Sequence, residues 1–302
     1  MSTNRASTEK KNASKNRAAK PRQNSISAPG KTPAIFRAAL CTFPVLGSPE
    51  RNFARIEALS REAAAKGAHL AIFPEGALSG YYGEHFHDAD SVDFALIASL
   101  NKRLGMLARE LRMAIASGTL MRERDGRIFN SMLVFSASGR LAARYDKRHL
   151  TLRDTRFYSP GQSGPAIARI EGRRIGFLIC FDARFPLWAH EYARRGAEVL
   201  VYGFNVCDRR GLWKRPALEA HLRSRAAENQ VFLLAVNDGR AHPNVPLLAV
   251  DRGGLTLARA FPRRPLLKIV DLDFSRHYPM EREIVEGHAL DYECASQWSR
   301  SR

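Results

Sequence analysis

Cysteine is scarce in this chain. Four residues in 302, Cys41, Cys180, Cys207 and Cys294, lie far apart and form no CxxC pair. That spacing argues against a structural zinc site, and a chain of this length needs no disulfide framework. The four read as free thiols in a reducing compartment, where a thiolate nucleophile is feasible. Long apolar runs are missing too: none approaches the ~20 residues that span a bilayer. The basic N-terminus is not followed by an apolar core, so it does not read as a secretory leader. These absences predict a cytoplasmic protein with no membrane partner.

Acidic residues are also short. Forty-eight Lys and Arg against 30 Asp and Glu leave a net charge of +18. Such a surplus ordinarily suggests nucleic acid or an anionic surface. Its distribution tempers that reading. Residues 1–34 hold eight Lys and Arg against one acid, Glu9, and the remaining surplus is spread over positions expected on helix surfaces. A solvated basic face accounts for it.

Hydrophobic residues make up 45% of the chain, enough for one large core. Residues 1–34 hold almost no large apolar side chains and cannot offset their ordering entropy, so a disordered tail is expected there. From residue 35 to 275 strands alternate with helices, and 276–302 reads as an irregular C-terminal extension. Ser48-Pro49-Glu50 supplies an N-cap, an N1 proline and a first-turn acid. The helix after it places Phe53, Ile56, Leu59 and Ala63 on one face and stops at Gly67. A second helix is expected over 92–111 with a strand, Ala114–Gly118, after it, and further helices over 187–195 and 213–228. Hairpins are expected across Ser136–Arg140, Glu171–Arg173 and Asp251–Gly254. The pattern is a single α/β domain with hairpins, crossovers and helices enough to cover two sheet faces.

Three strand-like runs end on reactive side chains. Ala68–Phe73 stops at Pro74-Glu75, Leu141–Asp146 delivers Lys147, and Arg174–Ile179 delivers Cys180. A cysteine attacks as thiolate and needs a base or a positive neighbour. Glu75 could take the thiol proton and return it to a leaving amine. Lys147 could stabilise the negative oxygen of a tetrahedral intermediate, with the backbone N–H of Phe181 as a second donor. This set requires neither metal nor organic cofactor. Singly, each residue is better read as a core thiol, a solvated turn or an exposed loop; only the combination points to chemistry.

The chain resembles the nitrilase-related carbon–nitrogen hydrolase superfamily over roughly Phe36 to Leu272. The resemblance rests on ordered motifs: Phe73-Pro74-Glu75, Asp125–Ser131, Tyr145-Asp146-Lys147-Arg148-His149-Leu150, Ser159-Pro160-Gly161, Ile179–Pro186, Gly196–Leu200 and Arg223–Asn229. It implies a four-layer α-β-β-α sandwich, a homodimer or larger homo-oligomer, and a Glu75–Lys147–Cys180 triad. Many members carry a second glutamate shortly after the lysine. Here Asp154 is the only acid available, so a positioning role for it is an expectation, with a surface aspartate as the alternative. Leu187 stands where a glutamate often follows Phe-Pro, and Asp238–Val245 lacks the usual small Gly/Ser motif. Cys-Phe-Asp-Ala-Arg-Phe is closer to the amidase and carbamoylase branches than to true nitrilases. Arg184 could pair with a substrate carboxylate, or form a structural salt bridge with Asp182 or Glu228.

The expected activity is hydrolysis of a small-molecule amide or N-carbamoyl substrate through a Cys thioester. Two alternatives stay open. One is a nitrilase using the same residues; the other is a basic nucleic-acid- or surface-binding protein that has kept the fold, with the tail as its working part.

Overall fold

The structure, a computed structural model, describes residues 32–276. All but the innermost residues of the basic tail and of the C-terminal extension therefore lie outside the described range. Strands β1 (Ile35–Thr42), β2 (Leu70–Ile72), β3 (Ala114–Arg122), β4 (Ile128–Phe135) and β5 (Leu141–Asp146) belong to one sheet. Strands β6 (Ile167–Ile170), β7 (Arg173–Ile179), β8 (Val199–Phe204), β9 (Phe232–Asn237), β10 (Leu247–Val250) and β11 (Thr256–Ala260) form a second. Strand β12 (Leu266–Asp273) returns to the first sheet and pairs antiparallel with β1.

The spatial orders are β12-β1-β2-β3-β4-β5 and β11-β10-β9-β8-β7-β6. In each sheet the central strands, β1-β2-β3 and β7-β8-β9, run parallel. Parallel strands need crossovers, which the four helices supply: α1 (Pro49–Ala65), α2 (Phe94–Leu111), α3 (Pro186–Arg194) and α4 (Arg215–Glu228). Hairpins finish the edges, where β3-β4-β5, β6-β7 and β9-β10-β11 are antiparallel.

Period-two alternation assigns the two faces of β1. Phe36, Ala38 and Leu40 meet Phe177, Val201 and Leu234 of the second sheet in one core. Ala39 and Cys41 turn the other way, against Phe53, Ile56 and Ala63 of α1 and Leu100 and Leu104 of α2. Tyr192 of α3 and Leu222 of α4 cover the outer face of the second sheet. The result is the α-β-β-α sandwich expected from the sequence. Fully buried side chains such as Phe36 and Phe177 each contribute about 1.5–3 kcal/mol of transfer free energy.

Local signals set the helix ends. The Ser48 hydroxyl accepts the Arg51 N–H, Asp93 accepts that of Leu96, and Gly67 takes φ +72° past α1. Helix α4 begins at Arg215, two residues later than expected, because Pro216 fits the first turn and a 3-10 turn, Arg209–Lys214, precedes it. Strand β3 runs to Arg122, four residues past the expected Gly118. Among the described residues, no helix is long and apolar enough to cross a membrane.

Candidate active site

Ligand sites in α/β sheets gather beyond the carboxyl ends of the strands. Glu75 follows β2, Cys180 follows β7, Asn205 follows β8, and Lys147 follows β5. Two glycines let these ends approach. A Cβ on Gly118 of β3 would collide with the Pro74 carbonyl and lie 2.7 Å from the Glu75 Cα. A Cβ on Gly203 of β8 would lie 3.1 Å from the Glu75 backbone nitrogen. The turn carrying Glu75 is thus held between the two sheets, and Gly118 is where β3 must lack a side chain. Gly118→Ala should shift that backbone and lower both the melting temperature and kcat; an unchanged pair of values would contradict the close approach.

The three polar side chains of this centre are fully buried. Glu75 and Asp154 are 0% exposed and Lys147 is 1%. The Lys147 Nζ donates to Glu75 Oε1 and to Asp154 Oδ2, each at 2.8 Å. Glu75 Oε1 also accepts from Asn130 Nδ2 at 2.7 Å, and Oε2 from the Asn205 backbone N–H at 2.9 Å. Asp154 accepts the Tyr81 hydroxyl at 2.5 Å and the Thr151 N–H at 3.0 Å. Asp154 is therefore no surface residue: it is the second carboxylate on Lys147.

Cys180 has φ +47°, a left-handed conformation that costs a non-glycine residue roughly 1–2 kcal/mol. It opens a 3-10 turn, Cys180–Arg184. Asp182 anchors that turn. Its buried carboxylate accepts the Ile179 N–H at 3.0 Å, the Tyr145 hydroxyl at 2.7 Å and the His149 N–H at 3.1 Å, and it meets His149 Nδ1 at 2.7 Å. The His149 ring stacks on Phe185 with centroids 3.7 Å apart. Phe181 occupies the second position of the turn, where a backbone N–H has no partner within the helix.

Burial and charge set the protonation states. Desolvation raises the Cys180 thiol well above its ordinary value, and Glu75 raises it further, outweighing Lys147. Glu75 is raised as well, by burial and against the pull of Lys147. Burial also favours a protonated Asp154, yet Lys147 and the Tyr81 hydroxyl outweigh it and hold that carboxyl low. Lys147 loses hydration on burial, but Glu75, Cys180, Tyr81 and Asp154 together keep it an ammonium. Two carboxylates on one lysine are thus pushed apart, the pattern that separates a proton acceptor from a fixed counter-charge. The arrangement can take a thiol proton onto Glu75 while a cation stays beside the reacting carbon.

Glu75, Lys147 and Asp154 come together by direct hydrogen bonds, and Cys180 joins them electrostatically. Arg184 does not enter this network. It is exposed, with its guanidinium carbon 6.0 Å from the Phe181 ring centre. Nor does it form the salt bridge considered for it, since the Asp182 oxygens are taken up by Tyr145, Ile179 and His149 and Glu228 pairs with Arg225 at 2.9 Å. Asn205 and the role of Asn130 were not foreseen. Asn130 lies in the Asp125–Ser131 motif, but Asn205 carries no local sign beyond its place after a strand. A cleft of about 400 Å³, lined by Arg148, His149, Leu150, Thr155, Tyr158, Pro160 and Phe185, lies among the residues following Lys147 and Cys180.

Residues 37–257 match the model of the carbon–nitrogen hydrolase family. The chain belongs to the carbon–nitrogen hydrolases. It is 30% identical to the omega-amidase of Homo sapiens over 217 residues, covering 68% of this chain and 75% of that one. It is 29% identical to a nitrilase of Pyrococcus abyssi over 196 residues, or 64% and 71% of the two chains. Among solved structures it is similar to an amidase from Nesterenkonia sp., with a TM-score of 0.69 at 22% identity over 82% of this chain and 95% of that one. A Glu-to-Gln variant of that amidase carries the product of Michael addition of acrylamide at its active-site cysteine. For this carbon–nitrogen hydrolase, the strand-end residues described above are the candidate catalytic set.

Proposed function

We propose that this chain is an amidohydrolase acting on non-peptide C–N bonds, with Cys180 as nucleophile, Glu75 as general base and acid, and Lys147 as the oxyanion cation. One observation carries the reading: a buried Lys147 ammonium clamped between Glu75 and Asp154 beside the strand-end thiol. Glu75 takes the Sγ proton as sulfur bonds to the amide carbon. The carbonyl oxygen becomes an oxyanion held by Lys147 and the Phe181 N–H. Glu75 returns the proton to the nitrogen, the C–N bond breaks, and ammonia or an amine leaves. A water then loses a proton to Glu75 and attacks the thioester. The C–S bond breaks and the thiolate regains a proton. Asp154 takes no proton in this cycle; it fixes Lys147.

Likeness to an omega-amidase supports an ω-amide substrate, whose other end would carry a carboxylate, and exposed Arg184 is the candidate partner for it. We infer a cytoplasmic enzyme working as a homodimer or larger homo-oligomer, because Cys41, Cys180 and Cys207 are free thiols and members of the family associate. Similarity to the Pyrococcus abyssi enzyme keeps a nitrile substrate as the second reading; product analysis on matched amides and nitriles separates the two.

The test is intact-protein mass spectrometry with a panel of ω-amides, N-carbamoyl amino acids and nitriles. An acyl adduct that maps to Cys180, and vanishes in Cys180→Ala, is the expected result. Undiminished hydrolysis by folded Cys180→Ala would sink the mechanism.

A further inference from the structure

The segment after β9 departs from the family pattern, and it places an arginine beside the supports of the general base. Arg240 is half-buried, and its guanidinium donates in three directions. Nε donates to the Asp238 carboxylate, Nη1 to Glu84 Oε2 at 2.9 Å, and Nη2 to Asn205 Oδ1 at 2.7 Å. Asp238 is itself buried and accepts the Val45 N–H at 3.1 Å, so this arm of the fork is anchored. Asn205 is the residue whose N–H holds Glu75 Oε2, and whose Nδ2 donates to the Glu75 carbonyl at 3.3 Å. Glu84 lies in the loop after Glu75 and also accepts from Arg153 Nη1 at 2.9 Å, next to Asp154. Loops that follow strands of both sheets thus join in a run from Asp238 through Arg240 and Glu84 to Arg153.

We propose that Arg240 is a positioning residue for Glu75, acting through Asn205, and that Glu84 secures it to the loop that carries Tyr81. A guanidinium is a donor only, so engaging Asn205 Oδ1 leaves that amide one orientation, with Nδ2 toward the Glu75 carbonyl. A planar fork meeting three acceptors loses little freedom in doing so, whereas a lysine ammonium is a point charge without that geometry. The exposed Arg153–Glu84 pair contributes little alone. The Asp238–Arg240 arm, anchored on a buried carboxylate, gives the run its rigidity.

This inference rests on Glu75 being the general base. The charged and titratable groups facing Glu75 are Lys147, Asp154, Cys180, Tyr81 and Tyr158. Those facing Arg240 are Asp238, Glu84, His85 and Cys207. A donor to the carboxylate favours its charged form. Loosening the Asn205 N–H therefore raises the pH at which Glu75 takes up its proton, and the acid limb of reactivity moves up.

The experiment follows Cys180 alkylation by iodoacetamide against pH, read by peptide mass, in the full chain. Arg240→Ala should move the acid limb upward by roughly half to one pH unit, making alkylation about three- to tenfold slower below it. Arg240→Lys should recover part of the shift, Glu84→Gln should show a smaller one, and Arg61→Ala, which breaks exposed ion pairs to Glu57 of α1 and Glu110 of α2, should show none. Folded Arg240→Ala and Arg240→Lys with unmoved limbs would overturn the proposal. If Arg240→Ala does not fold, Arg240→Lys and Glu84→Gln decide in the same way. Glu75→Gln separates the two readings. A limb that survives in it overturns the base assignment and this inference with it, while a limb lost there but unmoved in the Arg240 variants overturns the inference alone.

Discussion

Lys147→Ala should lower kcat/KM by at least about 10³-fold and destabilise the fold by about 3–5 kcal/mol. Both effects have one origin. The ammonium donates to Glu75 and Asp154, and all three side chains are buried, so its removal leaves two buried carboxylates facing each other. Like charge and desolvation then raise both, and one of them takes up a proton. A half-protonated pair is a poorer base, and the oxyanion loses its cation. The pH dependence has a definite sign. In the wild type the Asp154 carboxyl is held low, so it contributes stability above its unfolded value and loses it as pH falls. In the variant both carboxyls are raised, and stability is instead lost as pH rises. The gap between the two proteins should therefore narrow on acidification. Urea denaturation at neutral and acid pH, with turnover at neutral pH, checks this. A variant equally stable at neutral pH, or retaining a tenth of wild-type turnover, would refute the clamp.

Asp182→Ala should cost about 3 kcal/mol or more in stability, because one carboxylate serves several buried donors. It should also lower kcat by about 10²-fold or more, well beyond any effect on KM. Cys180 holds a left-handed backbone only because the turn around it is over-determined. Without Asp182, the Ile179 N–H, the Tyr145 hydroxyl and His149 lose their acceptor. The nucleophile is then free to relax toward ordinary backbone angles. Asp182→Asn keeps an acceptor for some of these donors and should fall between the two. Circular dichroism melts and the Cys180 alkylation rate measure both parts. Wild-type alkylation in a folded Asp182→Ala protein would show that the turn holds itself.

Much of the fold was legible locally. Strand-like apolar runs named the strands, Ser48 and Pro49 named the start of α1, and Gly67 its end. Two boundaries moved, one because a distant partner intervened and one for a local reason. Strand β3 continues through Gly118, which looks like a terminator in isolation but is where the Glu75 turn packs. Helix α4 waits for Pro216 behind a 3-10 turn whose shape no periodicity announces.

The candidate site divides in the same way. Glu75, Lys147 and Cys180 could be named as candidates from the sequence because three strand-like runs end on them in combination and within ordered motifs, and a strand's end is a local property. Asp154 was ambiguous because one sequence position cannot distinguish a surface acid from a buried counter-charge; the Lys147 and Tyr81 contacts did that. Asn205, Asp182 and Arg240 act through hydrogen bonds to residues far away in the chain, 130 positions in the case of Asn205 and Glu75. The sequence by itself determined the strand ends and the side chains standing on them. Only the packing of two sheets decided which ends meet, which acid stays charged and what holds the thiol's turn. Burial and partner geometry exist only once the sheets have come together.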